Sequence, residues 1–241
     1  MVFTKEFMQQ FRDSDEDGLI GVRGYINFFQ DAATEYMHNI HRGNDTLPEE
    51  FGISWVYTKY KICLHDRLDF DGPSTIETWV SYLDRVRTWQ DICLTHNGKV
   101  FLTGRLESCL AHMDEGRLAA IKEINLPEDL CEERDIPMPS FTKTPRKPPE
   151  LLPIYEYTVR YTDLDKSHHM NNLHYIELFL NAFGPEDYSA HPVKEFEIHY
   201  LTQSFYGETL QVCRNPKADG IELYAMKEDG SVAAVCRMET D

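Results

Sequence analysis

Apolar residues recur at intervals of three and four between positions 25 and 40. The stripe that they form contains Tyr25, Phe28, Phe29, Ala32, Ala33, Tyr36, Met37 and Ile40. This spacing places the side chains along one face of an α-helix, and Gly43 is a residue suited to end that helix. A second segment, 173–183, is apolar on nearly every side, which predicts a helix surrounded by other structure.

Alternating or mainly apolar runs predict four strands after each helix. These runs span 54–64, 74–84, 87–96 and 99–112 in the first half and 193–203, 208–214, 221–227 and 231–239 in the second. An alternating segment also precedes each helix, and it is clearest at Tyr155, Tyr157 and Val159. Each half is therefore predicted to contain a strand, a helix and then four strands.

A turn dipeptide separates the last two predicted strands of each half. It is Asn97-Gly98 in the first half and Asp229-Gly230 in the second. Asn-Gly and Asp-Gly are typical of type I′ hairpin turns, because both central residues of such a turn need a positive φ. We therefore predict a tight hairpin at each place.

The two halves repeat one another. Residues 13–32 and 163–182 align without a gap. The identical pairs are Asp13/Asp163, Asp15/Asp165, Tyr25/Tyr175, Ile26/Ile176, Phe29/Phe179 and Ala32/Ala182. A repeat on this scale predicts one structural unit built twice.

A helix wrapped by an antiparallel sheet is the hot-dog arrangement. The sequence therefore predicts an α+β double hot-dog, with an N-terminal hot-dog over 1–136 and a C-terminal hot-dog over 151–241. Between them, residues 137–150 contain five prolines, which disfavour helix and strand pairing alike. We expect this segment to be an extended and semi-rigid linker.

Composition narrows the choice of partners and compartment. The chain has 24 Lys and Arg against 41 Asp and Glu, for a net charge of −17, which disfavours nucleic acid and anionic lipid as partners. It shows no run of signal-peptide or membrane-spanning character, so we expect no membrane insertion. The six cysteines are scattered, which indicates reduced thiols and a cytoplasmic protein.

Two patterns suggest metal binding, and both are incomplete. Residues 13–20 fit the opening of an EF-hand loop, but the position that should supply the bidentate glutamate is Gly24. The second copy has His174 there. The histidines His168, His169 and His174 are not joined by a carboxylate or cysteine cluster. We expect neither a metal nor a cofactor.

The differences between the repeats indicate where chemistry lies. His169 aligns with Leu19, and Asn171 aligns with Gly21. Asp165 can act as a base or nucleophile, and His169 can orient substrate or carry a proton, at a helix start whose N–H groups stabilise an oxyanion. Both residues also fit structural roles, Asp165 as a helix cap and His169 as a core histidine. The loss of polar groups from the first copy favours chemistry in the second.

At these residues the sequence resembles the fatty acyl-acyl carrier protein thioesterases. The segment D-L-D-K-S-H-H-M-N-N-L-H-Y from Asp163 is similar to that family's D-x-D-x-N-x-H-x-N-N-x-x-Y, and Thr78-Trp79 matches its Thr-Trp pair. The serine-bearing strand and basic stretch around 106–124 also look like the family. The resemblance spans almost the whole chain and implies a double hot-dog hydrolase that releases free fatty acid from acyl carrier protein.

The resemblance also implies site residues. The family's catalytic set falls on Asp165, Ser167, His169 and Gln203, where Ser167 replaces an asparagine and Gln203 replaces a glutamate. Ser204 stands where plant members have a cysteine, which argues against a thiol mechanism. Substrate contacts are implied for Asn171. The first half is implied to supply the acyl pocket, lined by helix 25–40 and by strand residues such as Trp55 and Trp79.

The implied partner is an acyl carrier protein bearing a fatty acyl thioester. Because that partner is acidic, docking needs a local basic group, for which Lys143, Arg146 and Lys147 or Arg85 and Arg87 are candidates. Two other functions stay open. One is a hot-dog thioesterase for coenzyme A esters. The other is a non-catalytic acyl-binding hot-dog protein, which the substitutions at positions 167 and 203 favour. A homodimer is also possible.

Overall fold

The computed structural model describes residues 1–69, 71–134, 136–144 and 147–240. It divides into two compact units, Met1–Pro139 and Ser140–Asp241. Pro145 and Arg146 lie outside the described residues, so the predicted linker and its basic group are described only in part.

Residues 140–144 belong to the second unit, although the sequence assigns them to the linker. The Thr142 hydroxyl donates to Glu197 Oε1 at 2.6 Å, and the Thr144 hydroxyl lies 2.6 Å from His199 Nδ1. Glu197 and His199 are buried and lie 2.6 Å apart, Oε1 to Nε2. This segment is therefore fixed to its unit by buried polar contacts.

The first unit has two α-helices and six strands among its described residues. They are β1 Val2–Phe7, α1 Val22–Asn39, α2 Leu47–Phe51, β2 Ile53–Leu64, β3 Ser74–Leu83, β4 Arg87–His96, β5 Lys99–His112 and β6 Leu118–Ala119. The strands form an antiparallel sheet in the order β1-β3-β4-β5-β2, and the short β6 pairs with β5.

The second unit repeats this plan in its described residues, except that β6 has no counterpart. Its elements are β7 Leu152–Thr158, α3 Asn172–Leu180, α4 Pro185–Ala190, β8 Val193–Tyr200, β9 Thr209–Arg214, β10 Ile221–Lys227 and β11 Val232–Thr240. The antiparallel order is β7-β9-β10-β11-β8. The α+β fold predicted from the sequence repeat is thus confirmed. No helix in the described ranges is long and apolar enough to span a membrane.

Helix α1 buries the predicted apolar stripe. Of its residues, Tyr25, Phe29, Ala32 and Ala33 are each at most 1% exposed. The Phe29 ring lies 5.6 Å from that of Tyr60 on β2 at a near-perpendicular angle, which identifies the sheet face that the helix covers. Burying a large apolar side chain of this kind stabilises the fold by about 1.5–3 kcal/mol.

The two hairpin turns differ from one another. Asn97 and Gly98 have φ values of 49° and 74°, so the type I′ prediction is confirmed for the first half. In the second half Gly230 has a φ of 82° but Asp229 is not in the left-handed region, so that type I′ prediction is wrong. The backbone N–H of Lys227 donates instead to the carbonyl of Ser231, which closes a longer turn with one left-handed glycine.

The sheet face opposite α1 carries a buried polar network. Arg105 donates to both oxygens of Asp91, at 2.6 and 2.7 Å. Next to this pair, Glu107 is buried. Its carboxylate accepts from the Thr58 hydroxyl, the Lys59 ammonium and the Trp89 indole N–H, at 3.0, 2.9 and 3.2 Å.

Glu107 is expected to make unfolding sensitive to acid. Burial favours its neutral form, but the bonds from Lys59, Trp89 and Thr58 outweigh burial and hold the pKa of Glu107 below its ordinary value of 4.5. A group with a depressed folded-state pKa stabilises the fold above its unfolded pKa, and that stability is lost as the pH falls through the folded-state value. We expect Glu107→Gln to lower the free energy of unfolding at pH 7 by about 1–3 kcal/mol.

Urea unfolding at pH 7 and at successively lower pH checks this expectation. The difference between wild type and Glu107→Gln should shrink as the pH falls below 4.5. Glu77→Gln is the matched control, because Glu77 is 36% exposed and pairs with Arg134 at the surface, for an expected cost below about 1 kcal/mol. A constant difference at every pH would contradict the role of the Glu107 charge.

Candidate functional site

The predicted site lies on a loop that backbone hydrogen bonds close. Leu164 and Met170 form an antiparallel bridge, and the Asp165 N–H donates to the carbonyl of His169 at 3.1 Å. The His168 N–H donates in turn to the Asp165 carbonyl at 3.0 Å, with His168 at a φ of 63°. This turn brings Asp165 and His169 to adjacent positions at the loop base.

The two aspartates of the D-x-D pattern do different things. The buried Asp163 carboxylate accepts from the Arg160 N–H and the Tyr157 hydroxyl, each at 2.7 Å. Burial and this contact raise the pKa of Tyr157 to about 12. Asp165 is only partly buried, and its Oδ1 accepts from the Ser167 N–H at 2.8 Å. Asp163 therefore holds the loop, whereas the Asp165 carboxylate is accessible for chemistry.

Most backbone N–H groups in the first turn of helix α3 are hydrogen-bonded to the helix's own cap residue, Asn171. The Asn171 side-chain oxygen accepts from the Leu173 N–H at 2.9 Å, and the Asn171 carbonyl accepts from the His174 N–H at 3.0 Å. The amide of Asn172 is the first-turn donor that neither bond uses. The oxyanion site predicted at this helix start is thus reduced to the Asn172 N–H, the positive end of the helix dipole and the Asn171 amide group.

Gln203 and Ser204 follow β8, and Ser204 contacts the same loop. The Met170 N–H donates to the Ser204 carbonyl at 2.8 Å. Ser204 is fully buried. It lies beside Tyr175 of α3, whose pKa burial raises to about 12 while the Ser204 contact works against that shift. The Gln203 side chain is exposed, and its carbonyl accepts from Lys227 Nζ at 2.9 Å.

The first unit contains a loop with the same backbone bonds. The Asp15 N–H donates to the Leu19 carbonyl, and the Ile20 N–H donates to the Leu68 carbonyl, each at 2.8 Å. Gly18 has a φ of 81° at the position of His168. By these bonds Leu68 is the counterpart of Ser204, and the preceding Arg67 is therefore the counterpart of Gln203.

Arg67 closes the first loop with ion pairs. Its guanidinium pairs with the carboxylates of Asp15 and Asp17, and it also donates to the carbonyls of Leu19 and Ile20, each at 3.3 Å. Two of the three carboxylates that suggested an EF-hand therefore already have a cationic partner. Sequence reasoning missed Arg67 because it lies outside the repeated motif.

The Asp15 carboxylate also covers the start of helix α1. A Cβ atom at Gly21 would lie 2.1 Å from Asp15 Oδ1, so no larger residue fits there without moving that carboxylate. In the second unit this position is Asn171, whose side chain caps the helix. The two loops therefore share a backbone but differ in what lies over the helix start.

The two tryptophans predicted to line an acyl pocket face opposite sides of the sheet. Trp55 packs with Tyr36 and Met37 of α1, and its indole N–H donates to the Arg42 carbonyl at 2.7 Å. Trp79 pairs in register with Asp91, on the face opposite α1, and the Arg134 guanidinium lies 5.0 Å from its ring. Because strand residues alternate in direction, a pocket beside α1 can include Trp55 but not Trp79.

The remaining candidates are the histidines considered for metal binding and the arginines considered for carrier docking. His168 is exposed, whereas His174 Nδ1 lies 2.7 Å from Glu177. No group of three or more His, Cys, Asp or Glu side chains in the described ranges could hold a metal ion. Arg85 and Arg87, at the turn between β3 and β4, are exposed.

The chain is similar to known proteins along nearly its whole length. Residues 1–132 match the family model described as the acyl-ACP thioesterase N-terminal domain, and residues 147–237 match the acyl-ACP thioesterase C-terminal domain. No curated protein matches the chain in sequence.

Solved structures are similar in fold. An acyl-ACP thioesterase from Bacteroides thetaiotaomicron is 21% identical, with coverage of 100% of this chain and 98% of that chain and a TM-score of 0.87. The 12:0-ACP thioesterase from Umbellularia californica is 16% identical, with coverage of 100% and 97% and a TM-score of 0.81. At these identities the likeness establishes the double hot-dog fold.

Proposed function

This chain belongs to the acyl-ACP thioesterase family, and we propose that Asp165 and His169 of its second unit carry the reaction. As a member it is a thioester hydrolase that releases free fatty acid from acyl-acyl carrier protein. One observation supports the choice of unit. The two loops share their backbone bonds, but in the first Arg67 pairs with Asp15, whereas in the second Gln203 carries no charge and Asp165 stays accessible.

We propose that Asp165 is the general base. Its carboxylate accepts a proton from a water molecule while the water oxygen bonds to the thioester carbonyl carbon. The carbon–sulfur bond then breaks, the sulfur leaves as the carrier thiol after protonation, and the fatty acid is released. His169 lies beside Asp165 on the loop and supplies the proton to the leaving sulfur. The Ser167 N–H bond to Asp165 Oδ1 fixes the orientation of the carboxylate.

The negative charge that develops on the thioester carbonyl oxygen must be stabilised by hydrogen-bond donors. In this proposal they are the Asn172 N–H and the Asn171 amide group, aided by the dipole of α3. The cap on Leu173 uses the Asn171 oxygen, so it leaves the Asn171 NH₂ group for substrate.

The two departures from the family pattern fit this scheme. Ser167 contacts Asp165 through its backbone N–H, which any residue except proline supplies at this position. Gln203 can hydrogen-bond water or substrate but cannot accept a proton as a glutamate does. In this scheme Asp165 and His169 therefore carry out the proton transfers. For the acyl chain, we propose a pocket beside α1 in the first unit, with Trp55 in its wall.

The carrier preference is testable with the purified protein. We expect kcat/KM for acyl-acyl carrier protein to exceed that for the matching coenzyme A ester by about tenfold or more, which corresponds to about 1.4 kcal/mol. Steady-state assays with the same acyl group on both carriers measure the ratio. An equal or reversed ratio would favour the coenzyme A thioesterase instead.

We also propose that the protein works in the cytoplasm. This proposal rests on its six cysteines, all of them free, of which Cys109, Cys213 and Cys236 are buried. Burial raises the pKa of each of these three thiols, as expected for cysteines that serve as small apolar core residues.

A further inference from the structure

Three large aromatic side chains near the Asp165 loop are exposed to solvent. Tyr161 is 82% exposed, Tyr206 69% and Phe205 46%. Aromatic residues of this size are normally buried, and exposed groups of them mark interaction surfaces. None of the three has a part in the hydrolysis proposed above.

Backbone bonds hold these aromatic residues at one rim. The Gly207 N–H donates to the Val159 carbonyl, and the Val159 N–H donates to the Glu208 carbonyl, each at 2.9 Å. The Met170 N–H donates to the Ser204 carbonyl at 2.8 Å. Segment 204–208 is therefore bonded to Val159, just before the loop, and to Met170, at the loop's end. Phe205 and Tyr206 consequently share an edge with Tyr161.

Two exposed cations lie on this rim. Arg160 and Lys166 are exposed, and Lys227 lies 5.8 Å from the centre of the Phe205 ring. Asp163 is buried and accepts from the Arg160 N–H and the Tyr157 hydroxyl. Lys227, whose side chain is 15% exposed, pairs with Glu208 at 2.9 Å, so that pair adds no net charge. A cationic rim is notable in a chain whose net charge is −17.

We propose that this rim, formed by Tyr161, Phe205, Tyr206, Arg160 and Lys166, is the surface on which an acidic carrier protein docks. The inference rests on the proposed function, since it names how the carrier presents its thioester to Asp165. Charge complementarity selects the partner: the cations attract an acidic surface and raise the association rate, and the aromatic rings supply contact area at a small entropy cost. Docking here places the carrier at the mouth of the loop.

The first unit supplies an internal control. Phe11 takes the place of Tyr161 in the equivalent turn and is 91% exposed, and Arg12 beside it is exposed too. The loop that follows is the one that Arg67 closes. If aromatic exposure alone created affinity for the carrier, Phe11 would matter as much as Tyr161.

The experiment compares Arg160→Glu, the double variant Tyr161→Ala/Tyr206→Ala and the control Phe11→Ala. Each is assayed with one acyl group on acyl carrier protein, on coenzyme A and on N-acetylcysteamine, a truncated neutral thioester. We expect the first two variants to raise KM for the carrier-protein substrate by about tenfold while kcat changes by less than about twofold. Rates on the truncated thioester and all rates of Phe11→Ala should match wild type.

Salt provides a second readout. For wild type, kcat/KM with the carrier-protein substrate should fall as the salt concentration rises, and Arg160→Glu should flatten that dependence. The proposal would be overturned by an equal loss on all three thioesters, by an unchanged KM in both rim variants, or by an equal effect of Phe11→Ala. Equal loss on coenzyme A and carrier protein alone would overturn it as well, because the cations would then bind the phosphate-bearing arm common to both.

Binding of unacylated carrier protein separates this inference from the proposed function. Calorimetric titration needs no turnover. Weaker binding in the rim variants, together with a wild type that hydrolyses no carrier thioester, would contradict the function and support the docking surface. Wild-type binding by every variant of an active enzyme would contradict the docking surface alone.

Discussion

Asp165→Asn is expected to lower kcat for acyl-acyl carrier protein by about 10²- to 10⁴-fold, the range that a general base contributes. An amide cannot take a proton from water at neutral pH. The asparagine oxygen can still accept the Ser167 N–H bond, so the loop should keep its shape. The expected loss is therefore in the chemical step, with KM little changed. Single-turnover assays with acylated carrier measure it directly.

Asp15→Asn is the matched control, because the two aspartates are equivalent in the repeat. Asp15 pairs with Arg67 at a site that is 55% exposed, so its loss should cost less than about 1 kcal/mol of unfolding free energy. Its hydrolysis rate should equal that of wild type. A fully active Asp165→Asn variant would remove Asp165 from the mechanism, and an equal loss in both variants would show that the effect is structural.

His169→Ala is expected to lower kcat by about 10²-fold or more, because the leaving sulfur then departs without its proton donor. The histidine also makes little structural contribution in this position: its Nδ1 lies 3.5 Å from the Met170 carbonyl, at the long end of the hydrogen-bond range. Rate profiles against pH for wild type and variant test the role, since the limb that reports the acid should disappear with the side chain.

The neighbouring histidine provides the comparison for that variant. His168 is exposed and has a φ of 63°, which asparagine tolerates well, so His168→Asn changes a histidine without straining the turn. Its activity should remain close to wild type. Similar losses in His168→Asn and His169→Ala would point to the loop as a whole rather than to a proton donor at residue 169.

Much of the fold could be predicted from the sequence because its periodicity is long and regular. The stripe from Tyr25 predicted helix α1, and the predicted spans 87–96 and 99–112 coincide with β4 and β5. The elements that were missed, such as β6, α2 and α4, are two to six residues long, too short for a period to develop. The sequence repeat, which was recognised from identical residues, corresponds to the same order of five strands in both units.

The placement of the candidate site residues could be predicted in part. The motif placed Asp165, Ser167 and His169 on one loop, because these residues are close in sequence and the turn is local. The ion pairs of Arg67 with Asp15 and Asp17 could not be predicted from the motif. They form because the segment after β2 folds against a loop that is distant in sequence. The direction of Trp79 also escaped prediction, because it depends on the register with β4 rather than on composition.

The contact between Asp15 and Gly21 makes the difference between the units hard to reverse. A side chain at position 21 meets the Asp15 carboxylate, and moving that carboxylate separates it from Arg67. Regaining the second unit's arrangement therefore requires changes at Gly21, Leu19 and Arg67, and a change at Gly21 or Arg67 alone separates the ion pair. A substitution at position 21 alone is therefore not sufficient to install the second unit's helix cap in the first unit.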